Sequence, residues 1–117
     1  MQKINSKGGS AFVRSTFARA AADTNDIQAL SAGTAKRYAL KTGAEMLEFH
    51  FDVTTAPVYA KFGNSTVTAA VPVADDITGG APIIIRSGQT LAVPVGATHV
   101  SLIAAGATVV SIASFAL

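Results

Sequence analysis

The chain has 117 residues, of which 50% are hydrophobic and 14% are charged, against a usual charged share of about 25%. This length allows one domain, and the apolar content excludes intrinsic disorder, which needs low hydrophobicity and high net charge. The absence of cysteine excludes a disulfide framework and a cysteine-ligated metal site. No apolar run reaches the roughly 20 residues of a membrane-spanning helix, so no membrane partner is expected.

The larger apolar side chains favour strands over helices. Alanine is the commonest residue and buries little area, whereas Val, Ile and Thr together far outnumber Leu. β-branched side chains lose rotamer freedom in helices and pack well on a pleated surface. Because little charge remains to cover the surface of such a domain, we expect neighbouring subunits to cover part of it in a homo-oligomer.

The net charge of +2 is distributed unevenly along the chain. Lys3, Lys7, Arg14 and Arg19 lie in the segment 1–22, which contains no acidic residue, and the segment 23–117 carries a net charge of −2. Four charges spread over a segment of this length are sparse for contacts with phosphates. Nucleic acid is therefore a disfavoured partner, and we prefer docking of this segment on an acidic protein surface.

Residues 1–35 are predicted to form an N-terminal arm that is extended or briefly helical. Apolar side chains have helical spacing within residues 11–22. Asp23–Asp26 is turn-like and is expected to cap a short turn through Ile27–Leu30. The candidate protein-interface residues are two aromatic and two basic side chains of this arm, namely Phe12, Arg14, Phe17 and Arg19.

Residues 36–117 are predicted to form one all-β domain. Turn residues recur every 8–12 residues, which is typical of an antiparallel β-sandwich or jelly roll, and little room remains for the crossover helices of a parallel sheet. About eight short strands are expected, at Arg37–Lys41, Met46–Val53, Pro57–Phe62, Thr66–Val71, Ile83–Ile85, Gln89–Val93, Thr98–Ala104 and Ala107–Ala113.

The clearest strand pattern lies in Met46–Val53, where apolar and polar side chains alternate. Gly63–Ser65 predicts a hairpin turn to a returning strand. The run Ile83–Ile85 is consistent with a strand buried on both faces. Gly106 is expected to lie at the centre of a second hairpin formed by the last two strands.

Two groups of side chains are candidates for chemical sites. Glu48, His50 and Asp52 share one strand face, and Asp75 and Asp76 are adjacent acids that offer oxygen ligands to a hard cation. The polar face of an amphipathic strand and a solvated turn are the preferred explanations. We assign no catalytic, cofactor-binding or metal-ligating residue and expect no enzymatic activity.

Two segments carry a resemblance to a known class of protein. Pro-Val-Tyr-Ala-Lys-Phe-Gly-Asn-Ser-Thr-Val-Thr-Ala at 57–69 and Leu-Ala-Val-Pro-Val-Gly-Ala-Thr-His-Val-Ser-Leu-Ile-Ala-Ala-Gly at 91–106 resemble segments of small β-sandwich virion proteins of tailed bacteriophages. The resemblance extends over about half of the chain. It implies a protein of the head decoration, or cement, type and brings no catalytic residue with it.

The resemblance leads to an expected function and two alternatives. We expect a structural virion protein, assembled in the host cytoplasm, that decorates and stabilises a bacteriophage capsid by binding the major capsid protein as a homo-oligomer, with a trimer favoured. A neck or tail component, such as an adaptor, stopper or fibre-associated protein, is the first alternative. A carbohydrate- or receptor-binding module is the second, and it is disfavoured because tryptophan is absent and only two tyrosines are present.

Overall fold

The computed structural model describes residues 23–52 and 57–116. Within these ranges no helix has the length and apolar character needed to cross a membrane. The described residues form eight strands, which are β1 (Thr24–Leu30), β2 (Lys36–Ala39), β3 (Met46–Phe51), β4 (Val58–Gly63), β5 (Ile83–Ile85), β6 (Gln89–Ala92), β7 (His99–Ala104) and β8 (Thr108–Phe115).

The strands form two antiparallel four-stranded sheets that pack against each other, so the fold is an antiparallel β-sandwich. Sheet 1 has the order β1-β8-β3-β6, and sheet 2 has the order β2-β7-β4-β5. The pairs β1·β8, β2·β7, β3·β6 and β4·β5 trace one double-stranded ribbon whose successive parts alternate between the two sheets. This is the strand order of a jelly roll, and the connection between β4 and β5 forms the tip of the ribbon.

The core lies between the two sheets and comes mainly from the four inner strands. In each of these strands alternate side chains point inward, as the pleat requires. Edge strands close the core with Leu30, Tyr38 and Ile85, which are also buried. The inward side chains that are fully buried are Leu47, Phe49, Val58, Val100, Leu102, Ala104, Val110 and Ile112.

The first described strand of the sandwich begins at Thr24, so the predicted boundary at residue 36 and the predicted turn through Ile27–Leu30 are wrong. Residues 24–30 pair with β8 along their whole length, from Thr24 opposite Ser114 to Leu30 opposite Thr108. The polar residues of this segment favour a turn locally, but the ladder with β8 supplies main-chain hydrogen bonds that local propensity does not reveal. The predicted arm within residues 1–22 lies outside the described residues.

The predicted strand Thr66–Val71 and its hairpin are also absent from the fold. After β4, the Asn64 side chain accepts hydrogen bonds from the backbone N–H and the hydroxyl of Thr66, at 2.9 and 2.7 Å. Such a local turn competes with a ladder for the backbone. Residues 64–70, here called the covering segment, instead lie over the outer face of sheet 2, where the Ala69 N–H donates to the Ser101 hydroxyl at 2.9 Å.

Two predictions about later strands are corrected by the strand order. Ile83–Ile85 forms β5 at the edge of sheet 2, where Ile85 is buried but Ile83 and Ile84 are about half exposed. The last two strands do not form a hairpin, because β7 belongs to sheet 2 and β8 to sheet 1. The turn at Gly106 therefore carries the chain from one sheet to the other.

Gly63 is the position at which the covering segment comes closest to sheet 2. A Cβ atom at Gly63 would lie 2.9 Å from the Cβ of Val67, closer than packed carbon atoms approach. We expect Gly63→Ala to lower the free energy of unfolding by about 1–3 kcal/mol through overpacking. Urea unfolding measures this loss. Gly63→Ala combined with Val67→Gly, which removes the Val67 Cβ, should lose less stability than the sum of the two single variants.

Gly80→Ala is the matched control for this prediction. A Cβ atom there would have its nearest neighbour at 3.6 Å, on the hydroxyl of Thr78, which is ordinary contact. We expect this variant to remain within about 0.5 kcal/mol of the wild type. Equal stability of Gly63→Ala and Gly80→Ala would contradict the close packing of the covering segment.

Candidate functional site

The four interface residues assigned from the sequence, Phe12, Arg14, Phe17 and Arg19, lie outside the described residues. The remaining candidates lie on the sandwich and its loops. They comprise the two acidic groups at β3 and at residues 75–76, a polar contact between the sheets, and the exposed apolar surface.

The strand pattern at β3 places Glu48 and His50 together on the outer face of sheet 1. Glu48 Oε1 lies 3.4 Å from His50 Nε2, and the carboxylate is almost fully buried although it does not face the core. The Thr90 hydroxyl of β6 lies 3.5 Å from the other carboxylate oxygen. Asp52 follows the end of β3 and is exposed. His99 is on β7 in the other sheet, and no cluster of three metal-binding side chains occurs among the described residues.

Asp75 and Asp76 lie in the exposed connection between β4 and β5. The Asp76 carboxylate accepts hydrogen bonds from the backbone N–H and the hydroxyl of Thr78, at 3.0 and 2.7 Å. These bonds, with a smaller contribution from the charge of Lys61, lower the pKa of Asp76 and keep its carboxylate ionised at neutral pH. The arrangement is the solvated turn preferred from the sequence, and it displays negative charge to solvent.

A polar contact joins the two sheets along the edge formed by β1 and β2. The Tyr38 hydroxyl of β2 donates to Asp26 Oδ2 of β1 at 2.6 Å. Lys41 Nζ lies 3.0 Å from the same carboxylate oxygen. Tyr38 is 6% exposed, so its ring completes the core while its hydroxyl reaches a charged acceptor at the rim. We call these three residues the edge clamp.

The edge clamp changes the acidity of its members. Burial, and then the hydrogen bond to Asp26, raise the pKa of Tyr38 to about 12. The hydrogen bond from Tyr38, followed by the contact with Lys41, lowers the pKa of Asp26. Both shifts favour a neutral phenol facing a charged carboxylate, which is the arrangement that donates one strong hydrogen bond. The edge clamp therefore has a structural role, because its three side chains are hydrogen-bond and ion-pair partners of one another.

The exposed apolar side chains are concentrated in one part of the chain. Among the described residues, eight large hydrophobic side chains are exposed, and five of them fall between residues 71 and 84. Isolated exposed apolar residues are ordinary, whereas a contiguous exposed apolar patch marks a surface for another molecule, and the stretch 71–84 is the candidate for one. The sequence analysis did not predict this surface, because it assigned three of the five exposed residues to strands. The five are Val71, Val73, Ile77, Ile83 and Ile84.

Two depressions on the described surface have different sizes. The smaller, about 70 Å³, lies between Asp23, Lys41 and Ser114 and is below the roughly 300 Å³ that a small-molecule site needs. The larger is an open groove of about 370 Å³, bordered by Phe62 and by the turn at Val95, which is fully exposed. Asn64 is the one polar side chain among the described residues that line it.

The described residues therefore define an eight-stranded antiparallel sandwich with an exposed apolar and acidic connection between β4 and β5. The chain matches no protein-family model, and no curated protein or solved structure matches it with significant similarity.

The edge clamp predicts that Tyr38 stabilises the fold through its hydroxyl. We expect Tyr38→Phe to lower the free energy of unfolding by about 2 kcal/mol, because a hydrogen bond to a charged acceptor is lost. Tyr59→Phe is the matched control, since Tyr59 lies on β4 pointing away from the core, and it should change stability by less than about 0.5 kcal/mol. Denaturant unfolding of both variants measures the difference, and equal effects would contradict the clamp.

The raised pKa of Tyr38 also predicts a dependence of stability on alkaline pH. Unfolded tyrosine loses its proton near pH 10, whereas Tyr38 in the folded chain keeps it up to about pH 12. The contribution of Tyr38 is therefore complete below about pH 10 and is lost as the pH rises towards 12. We expect the stability difference between wild type and Tyr38→Phe to shrink over this interval. A difference that stays constant would rule out the shift.

Proposed function

We propose that this chain is a structural, non-catalytic virion protein of a tailed bacteriophage that decorates and stabilises the capsid as a homo-oligomer, with a trimer favoured. The observation that carries the proposal is the concentration of exposed apolar side chains between residues 71 and 84. A protein of this kind acts by contact alone, so its binding free energy must come from surface of this type.

The two segments that resemble phage virion proteins also belong together in the fold. Residues 57–69 contain β4 and most of the covering segment, and residues 91–106 contain β7. β4 and β7 are neighbours in sheet 2, from Val58 opposite Ala104 to Gly63 opposite His99. The Thr98 N–H also donates to the Gly63 carbonyl at 2.9 Å. Because the two segments are adjacent in one sheet, we treat them as one structural unit that carries the resemblance.

The open groove offers a contact with the shell. Val95 stands fully exposed at a turn between β6 and β7, and Phe62 borders the same groove from β4. A symmetric shell repeats its surface many times, so an oligomer that presents several such turns gains by effective concentration even when one contact is weak. The major capsid protein is the proposed partner, and the virion is the proposed location.

Copy number in the particle tests the proposal and separates it from the neck or tail alternative. We expect quantitative mass spectrometry of purified particles, from the phage that encodes the chain, to give hundreds of copies, with the major capsid protein as internal standard. A value of about six to twelve copies would indicate a ring-shaped neck or tail component. Absence of the chain from the particles would refute both.

A gene deletion supplies the functional control. Particles lacking the chain should still assemble and should release their genome at a lower temperature than wild-type particles, and added purified protein should restore the original temperature. Val95→Asp protein should restore it less well, because a charge would be buried in the contact. Full restoration by Val95→Asp would argue against this groove as the shell contact.

A further inference from the structure

The connection between β4 and β5 presents a surface that is both apolar and acidic. Every residue from 71 to 80 is exposed, and Ile77 and Val73 are 94% and 76% exposed. Asp75 and Asp76 lie between them, and the stretch 70–81 contains no basic residue. We call Val71, Val73, Asp75, Asp76 and Ile77 the tip surface, because they lie at the tip of the jelly-roll ribbon.

The backbone that carries the tip surface is held by local hydrogen bonds. The Asp76 N–H donates to the Val73 carbonyl at 3.3 Å, and the Asp76 side chain accepts two bonds from Thr78. On its N-terminal side, the covering segment fixes the chain to sheet 2 through Ala69 and Ser101. A surface that is ordered before binding loses less conformational entropy when a partner arrives.

We propose that residues 11–20 of a second copy of this chain bind to the tip surface. This segment contains the chemistry that complements the tip surface, with Phe12 and Phe17 as apolar groups and Arg14 and Arg19 as cations. Arginine pairs with carboxylates through two parallel hydrogen bonds, which makes it suited to the acids of the tip. The segment 1–22 carries four positive charges and no negative one, so the whole segment is attracted to the acidic tip.

The second copy is supplied by the proposed homo-oligomer, and the reach of the chain restricts Arg19 of the same copy only. Arg19 precedes Thr24 by five residues, which span at most about 18 Å. β1 lies at the edge of sheet 1 next to β2, whereas the tip connection returns to β5 at the opposite edge of sheet 2. A path around the sandwich to β5 crosses the sheet separation of about 10 Å and three strand spacings of about 4.8 Å. This path exceeds the backbone reach of Arg19, whereas Arg14 precedes Thr24 by ten residues and has a reach of about 36 Å.

The inference rests on the homo-oligomer in the proposed function and names the contact that would build it. Each copy would contribute one basic segment and one acidic tip, so the contact passes from one copy to the next. Such head-to-tail contacts generate closed rings when the rotation between copies closes. This is compatible with the favoured trimer.

A charge-swap experiment on the full chain tests the contact. Sedimentation equilibrium at several protein concentrations measures the dissociation constant of the oligomer. We expect Arg14→Glu/Arg19→Glu and Asp75→Lys/Asp76→Lys each to raise it at least about tenfold, because like charges would then meet. The four substitutions combined should lower it below the value of either pair alone, without reaching the wild-type value, because Asp76→Lys also removes the two hydrogen bonds from Thr78. Oligomerisation should also weaken at high salt, which screens exposed charges.

Matched controls separate this contact from general changes in charge or hydrophobicity. Lys3→Glu/Lys7→Glu alters the net charge as much as the arginine pair but lies outside residues 11–20, and it should have a smaller effect. Ile77→Ser should weaken the oligomer, whereas Val95→Ser, at an equally exposed turn outside the tip surface, should not. Circular dichroism should show that all variants keep the β-sandwich, since every described site that is changed is exposed.

The outcomes distinguish failure of this inference from failure of the proposed function. A wild-type chain that is monomeric at all concentrations, charge reversals without effect, or no recovery in the combined variant would each overturn the tip contact. A monomeric chain would also remove the homo-oligomer from the proposed function. None of these results changes the expected copy number in particles, because the shell contact is assigned to the groove at Val95. Absence of the chain from particles would instead overturn the proposed function, while an oligomer sensitive to the charge swap would still support the tip contact.

Discussion

The inward faces of β3 and β8 in sheet 1 pack against the inward faces of β4 and β7 in sheet 2. The edge strands and the loops take their positions from this contact. Its fully buried side chains are Leu, Val, Ile and Ala together with Phe49, and the partly buried Phe51 and Phe62 pack against them. The contact depends on strict alternation along each strand. A slip of one residue would turn an entire apolar face towards solvent. The edge strands contribute fewer buried side chains to this core, and the edge clamp of Tyr38, Asp26 and Lys41 joins β1 and β2 along one side.

The sequence predicted the features that depend on local pattern. The alternation in Met46–Phe51 identified β3 and its buried face, with Leu47 and Phe49 fully buried, and the excess of β-branched residues identified an all-β sandwich. It did not identify β1, because the strand that pairs with Thr24–Leu30 lies near the other end of the chain. The turn at Asn64 likewise redirected a segment with strand-like composition over the outer face of sheet 2.

The candidate surface was predictable only in part. The adjacent acids Asp75 and Asp76 were interpreted as a solvated turn from composition, and the structure places them in an exposed loop. The exposure of Ile83 and Ile84 was not predictable, because a run of isoleucines does not reveal whether its strand will be central or at an edge. Whether a strand is central or at an edge depends on the order of strands in the sheet. Pairings between distant segments determine this order. The proposed shell contact and the proposed contact between copies both use surface that this order leaves uncovered.

The position of β8 has a consequence for how the chain is made. β8 is the eighth strand in chain order, yet it lies between β1 and β3 in the interior of sheet 1. β1 is the first of the described strands to be synthesised, and its neighbour among them is β8. This pairing forms only after residues 108–115 have been added. During translation, β3 equally lacks this partner. Non-local pairings of this kind make folding slow, so we expect the growing chain to depend on protection from aggregation until its eighth strand is available.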